Sequence, residues 1–311
     1  MQAFLDLLLV SGKKGFELAF FVLMPIMVFM MAIMMVLDKK GVLRLVAIYT
    51  APVLLLFGIP GLGVFAILQI LLVSFAAPVS TFRIMDQDIN ISDRKIAASL
   101  AAILAMSQAN ATFPLALFGL NLPVTMLTSL VGGLLAGFLT YRFFARNLPD
   151  DTERSASLEM EKEGKEKTIQ MIMAGAEEGF QLVLKAVPIL VLAVFLVNIL
   201  KTVGAITLME KAFGPVLAFV GISGAAVLSI VTKYIAGGTA MMGATIPLIQ
   251  EKAMTAVELN KIAGFTINAL DPVGVAVLIS AGRRVSAFVV PAIKGALIGI
   301  LVRGIIHLVI F

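Results

Sequence analysis

The chain has no cysteine. Disulfides, thiolate metal sites and cysteine nucleophiles are excluded together. Charge is scarce as well. Only 14% of the 311 residues are Asp, Glu, Lys or Arg, against about a quarter in a soluble domain. There is a single histidine, His307, close to the end of the chain, and an interfacial place without function is expected for it. No metal cluster, nucleophile–base pair or nucleotide loop is visible, so an enzyme is not expected and no cofactor is implied. An ATP-driven pump needs a phosphate-cradling loop, and none is found. No basic region and cleavage site flank a short apolar core at the start, so the first span is expected to stay in the protein.

What is there is apolar. Hydrophobic residues make up 60% of the chain, and mean hydropathy is +1.05. Short alternating strands, the mark of a membrane barrel, are missing. The fold class expected is an all-α polytopic membrane protein. The net charge of +5 then reads as a topology signal rather than nucleic-acid affinity.

Internal repetition decides the architecture. A shift of 163 residues aligns Gly12 with Gly175, Pro25 with Pro188, Gly41 with Gly204 and Pro52 with Pro215. It also aligns Gly58-Ile59-x-Gly61 with Gly221-Ile222-x-Gly224. Small changes of register then align Lys95-Ile96-Ala97 with Lys261-Ile262-Ala263, and Gly133-x-x-x-Gly137 with Gly295-x-x-x-Gly299. Two matching motifs, Asn110-Ala111-Thr112-Phe113-Pro114 and Asn268-Ala269-Leu270-Asp271-Pro272, join the series. The ordered series indicates a tandem duplication. Residues 1–146 form a first repeat, 147–170 a charged linker and 171–311 a second repeat.

About ten spans are expected. They are residues 16–37, 42–57, 62–82, 95–118 and 124–141, then 182–200, 212–220, 225–249, 261–282 and 285–308. The linker carries Glu161–Lys165 and Glu163–Lys167 pairs at helical spacing and reads as a solvated surface helix. Lys39, Lys40, Arg44, Arg83, Arg94, Lys95, Arg142 and Arg146 fall on one side of the first repeat, which places the linker in the cytoplasm. An odd number of crossings per repeat inverts the second repeat. Lys201, Lys211, Lys252 and Lys261 run against that assignment, and Arg283 and Arg284 agree with it.

Both Asn-Ala-x-x-Pro motifs lie inside apolar runs, where proline breaks a helix. Paired breaks in matching positions of two halves point to a transporter's binding site. Non-helical backbone is expected near Pro114 and Pro272, and again near Pro78 and Gly237-Gly238. A carboxylate in such a run is costly unless it faces protein or water. Asp271 is therefore singled out, either to bind a proton or Na⁺ or to pair with Lys233.

Gly175-Ala176-x-Glu178-Gly179, Ala186-Val187-Pro188-Ile189-Leu190, Gly214-Pro215 and Gly221-Ile222-Ser223-Gly224 resemble the Gate, or nucleoside-recognition, domain. That domain occurs in relatives of the spore-maturation proteins A and B, in the membrane part of the ferrous-iron transporter B family and in concentrative nucleoside transporters. The resemblance implies paired, inverted gate repeats with broken helices around a central site. The chain departs from it in having no GTPase domain, no cysteine to serve iron, and no recognised substrate motif of a true nucleoside transporter.

The function expected is secondary transport, coupled to Na⁺ or H⁺, of a small polar solute that is nucleoside-like by resemblance. Asn110, Asn268 and Gln108 are expected to bind solute. Thr239, Gly237 and Gly238 let backbone approach it, and Asp271 and Lys233 couple the ion. Ser107, Thr112 and Ser280 are expected only to satisfy neighbouring helices. The other reading is a non-transporting scaffold or partner subunit of the spore-maturation type. The partners implied are the solute and the lipid bilayer, with no nucleic acid; a homo-oligomer stays open. The location expected is a prokaryotic cytoplasmic (inner) membrane.

Overall fold

The structure, a computed structural model, describes residues 2–150, 167–204, 208, 211, 212, 215 and 217–311. Among these residues it is helical, with no strand. The first crossing is a long helix in two parts, α1 (Gln2–Glu17) and α2 (Met24–Lys39), joined by a π-helical turn, Leu18–Leu23. Pro25 follows that turn, so the wide turn sits where proline withdraws a donor. Next come α3 (Val42–Leu54), α4 (Gly61–Leu72), α5 (Pro78–Gln87), α6 (Asp93–Ala105), α7 (Ala109–Ala116) and α8 (Leu122–Leu139). The second half holds α9 (Thr168–Thr202), α10 (Ala226–Ala236), α11 (Gly238–Gln250), α12 (Ala256–Thr266), α13 (Pro272–Ile279), α14 (Arg283–Ala287) and α15 (Val289–Ile310). The expected surface helix of the linker, and residues 213, 214 and 216 of the expected span 212–220, lie outside the described residues.

The expected spans 62–82 and 225–249 are hairpins, not crossings. A helix rises 1.5 Å per residue and must cover about 30 Å to span a bilayer. Neither α4, α5, α10 nor α11 is long enough. Each pair folds back on itself: Thr81 donates to Gln69 Oε1 at 2.7 Å across the first, and Thr245 donates to Ser229 Oγ at 2.8 Å across the second. The bends fall at residues 73–77 and at Gly237. Apolar content alone did not distinguish a doubled-back pair from one long helix. The expected span 42–57 is continuous in its apolar character with α4, from which it is bent by 107°, so the two form a broken span or a re-entrant loop. Five helical stretches are long and apolar enough to cross. With the bent pair α3–α4 counted as one span, the described residues hold six by length and composition, and ten such stretches are not found among them.

The connectors define two ends. At one, Arg284 donates to the carbonyls of Asp86, Asp88 and Ile91 and to the Asp93 carboxylate, while Arg94 pairs with Asp150. At the other, Asn260 bonds both the Asn121 backbone N–H and the Gly119 carbonyl. Lys261 reaches the Val220 and Gly221 carbonyls, and Lys14 pairs with Glu251. Between the ends, α8 and α15 meet backbone to backbone. A Cβ on Gly299 would lie 2.3 Å from the Gly132 carbonyl oxygen, so glycines on the two helices permit this close approach. His307 is fully buried rather than interfacial. Its Nδ1 donates to the Asn260 carbonyl at 2.6 Å and its Nε2 meets Thr128 at 2.9 Å, tying α15 to α12 and α8.

Candidate functional site

Two helices are interrupted in the middle of the protein. α6 stops at Ala105 and α7 begins at Ala109; α12 stops at Thr266 and α13 begins at Pro272. The 163-residue shift holds here without change of register. It carries Asp93, the start of α6, onto Ala256, the start of α12, and Gln108, the N-cap of α7, onto Asp271, the N-cap of α13. The two Asn-Ala-x-x-Pro motifs are not equivalent, contrary to the alignment above. Asn110 and Pro114 lie inside α7, and the first break precedes them at residues 106–108. Asn268 and Asp271 lie within the second break.

The breaks touch. Gln108 Nε2 donates to the Asn268 carbonyl at 2.9 Å, and the Ala269 N–H donates to the Leu104 carbonyl at 3.2 Å. The hairpin bends close over them. Asn110 Oδ1 accepts the Phe75 N–H of the first bend at 3.2 Å. At the second bend Gly237 holds φ +91°, a conformation L side chains rarely adopt, and a Cβ on Gly238 would lie 2.2 Å from Gln108 Nε2. Glycine is needed at Gly237 for the turn, and a side chain at Gly238 would have to displace the end of Gln108.

Lys233, in the last turn of α10, reaches across to Asp271. They form a buried ion pair, with side chains 0% and 3% exposed. The other Asp271 oxygen accepts the Gly274 N–H at 2.8 Å, capping α13. The carboxylate thus has a cation on one oxygen and a helix N-terminus on the other, the arrangement under which burial of charge is tolerated. Of the two arrangements expected for Asp271, the pairing with Lys233 is the one present.

Asn268 behaves differently from the expectation. Its Oδ1 accepts the Leu270 N–H at 3.0 Å and its Nδ2 donates to the Phe265 carbonyl at 2.6 Å. The amide holds its own break together and offers little to a ligand. Asn110 and Thr239 instead line a cavity of about 40 Å³ with Phe75, Met27, Val183 and Met242. Asn110 Nδ2 makes no hydrogen bond among the described residues. A groove of about 510 Å³, lined by Tyr234, Asp271, Pro272, Val275 and Leu297, opens beside the second break. Thr112 and Ser280 bond carbonyls three or four residues back in their own helices rather than groups of neighbouring ones.

Sequence reading passed over Arg303. It is fully buried on α15. Its Nη1 donates to the Ala105 carbonyl at 2.6 Å and the Ile267 carbonyl at 3.1 Å, and its Nη2 to Ser107 Oγ at 2.8 Å. One guanidinium therefore serves the C-terminal ends of both α6 and α12, where orphan carbonyls need donors. The signal was available: an arginine inside an apolar run is a functional hypothesis by default.

Paired hairpins and paired broken helices, packed with long apolar helices, define an all-helical, multi-pass membrane protein. No family model and no curated protein matches the chain. Among solved structures, the chain is similar to CNTnw in an inward-facing, substrate-bound state, with a TM-score of 0.67 and 18% identity over 92% of this chain and 74% of that one. It is similar to a doubly substituted CNTnw in an outward-facing state, with a TM-score of 0.67, 17% identity and the same coverage. It is also similar to a CNTnw variant in an intermediate state, with a TM-score of 0.66 and 18% identity over 97% of this chain and 79% of that one. At these identities the likeness is one of fold.

Proposed function

We propose that the protein is a secondary transporter of a small, uncharged polar solute, bound where the hairpin bends meet the breaks. The observation that carries this is the convergence of four interruptions, with the caps Gln108 and Asp271, on one buried polar cluster. A protein that only scaffolds a membrane has little use for an intramembrane Lys–Asp pair. The fold that CNTnw holds in inward-facing, outward-facing and intermediate states supports alternating access, with residues 1–146 and 171–311 as inverted repeats.

The solute site is the cavity between Asn110 and Thr239. The larger groove is nearly all apolar and opens toward exposed helix faces. The small cavity is where free polar groups converge. Asn110 Nδ2 donates to solute and Thr239 donates or accepts. Gln108 joins them once hairpin α10–α11 lifts away from it. At about 40 Å³ the cavity has room for about one water, so this conformation is closed and solute entry requires the hairpin to move. That movement separates Gly237 and Lys233 from Asp271. The carboxylate, left alone in low dielectric, takes a proton or Na⁺, and this couples the gradient to the solute.

Charge favours an uncharged solute. Lys233 and Asp271 cancel, and Arg303 is balanced by two helix C-termini of about −0.5 charge each. Among uncharged polar solutes, nucleosides have the support of the fold likeness. The test is a thermal-shift screen of purified protein against nucleosides, amino acids and small organic acids, followed by uptake into liposomes. The expected result is stabilisation by an uncharged member, with Asn110→Ala abolishing it and Asn268→Ala leaving it in the protein that folds. No stabilisation by any solute and no uptake with any imposed gradient would overturn the proposal.

A further inference from the structure

Arg303 fills an oxygen-lined pocket at the crossing of the two breaks. Backbone carbonyls at helix C-terminal ends, with a hydroxyl alongside, form an oxygen-lined cradle with negative potential. Ala105 O, Ile267 O and Ser107 Oγ make such a cradle where the two breaks cross. The guanidinium donates to all three. Among the described residues no carboxylate faces it, and no salt bridge joins it to any acid. Its buried Nε has no hydrogen-bond partner, so the head group is placed for the carbonyls and not for full satisfaction of its own donors. Room for the stem is provided by the opposite helix: a Cβ on Gly132 would lie 2.3 Å from Arg303 Cγ.

We propose that Arg303 is a tethered cation, occupying permanently the crossing of the two broken helices so that this cradle takes no metal ion in any state. The planar fork of arginine suits the task, because it can reach carbonyls on two different helices at once where an ammonium acts as a point charge. Two consequences follow. The breaks are fixed to each other through α15, and the moving part is hairpin α10–α11. Cation coupling is left to Asp271 alone. The inference rests on the cradle's geometry and not on transport, so it can fail or succeed independently of the proposed solute.

The test is the cation dependence of melting. Arg303→Ala empties the cradle and should make the protein bind small cations there. Its melting temperature is expected to rise by about 2–4 °C when guanidinium or Na⁺ is present at ten times its dissociation constant, with choline chloride as the control for ionic strength. The intact protein and Arg303→Lys, which keep a tethered charge, are expected to gain no such increment over choline. If Arg303→Ala does not accumulate, Arg303→Met, which fills the stem's volume without the charge, takes its place in the same comparison. Equal responses of the variant to guanidinium, Na⁺ and choline overturn the proposal. So does a Na⁺ or guanidinium response in the intact protein as large as that of the variant, because the cradle would then already accept an ion or have no part in the effect.

Discussion

Replacing Asp271 with asparagine removes one charge and almost no volume. The asparagine oxygen can still accept the Gly274 N–H, so the cap of α13 survives. What is lost is the counter-charge of Lys233. Both side chains are almost wholly buried, so solvent does not screen the loss as it would at a surface. Removing one partner of a buried pair costs about 3–5 kcal/mol, mostly because the other charge is left uncompensated. At about 2 °C per kcal/mol for a chain of this length, the melting temperature should fall by about 6–10 °C. The double variant Lys233→Met, Asp271→Asn leaves no stray charge and should recover most of that fall. The assay is a melting curve of detergent-purified protein for the intact chain, both single variants and the double. Transport separates the pair's two roles: both Asp271→Asn and the double variant should exchange solute across a liposome membrane yet fail to accumulate it against a gradient. Asp271→Asn melting with the intact protein, or a double variant no more stable than the worse single one, would refute the buried-pair argument. Normal gradient-driven uptake by Asp271→Asn would refute the coupling role while leaving the pair as structure.

Two further outcomes can be measured. Gly238→Ala places a methyl group against the Gln108 amide and should push the second hairpin off the first break. The expected effect is a loss of about 1–3 kcal/mol by melting, with a larger loss of solute affinity than of fold. Single cysteines, in a chain that has none of its own, should sort the connectors: Asn147→Cys and Ser280→Cys labelled from one side of the membrane, Leu117→Cys and Lys252→Cys from the other. Leu117→Cys and Ser280→Cys labelled from the same face would refute this assignment of the two ends.

The class of protein was legible because composition in a bilayer leaves few choices: with so few charges, the backbone has to satisfy itself in helices. The ion pair was legible for a related reason. A lysine and an aspartate inside apolar runs have few ways to be tolerated except by meeting, and Lys233 does meet Asp271. The hairpins were hidden. Residues 62–82 and 225–249 have the length and hydropathy of spans, and what folds them back is a pair of hydrogen bonds between residues equidistant from the bend, Gln69–Thr81 and Ser229–Thr245. Sequence pattern carries no mark of those until the pairing is known. Asn110 and Asn268 misled in another way. They share a motif, yet the register that matters joins Gln108 to Asp271, two unlike residues at the start of a half-helix, of which only Asp271 caps its helix with its side chain. Similar letters were read as similar places. Arg303 was missed because the last apolar run was read as a plain span.

The small cavity between Asn110 and Thr239 bears on how any binding measurement will read. A protein whose resting shape has space for about one water must spend part of each solute's affinity on opening. If the open shape holds about 1% of the population, the apparent dissociation constant is about a hundredfold weaker than the intrinsic one. Loosening the lock at Lys233 and Asp271 raises that fraction. The variants that can no longer pump should therefore hold the solute more tightly than the protein that can. A screen run on Lys233→Met, Asp271→Asn would then find ligands that the intact chain conceals.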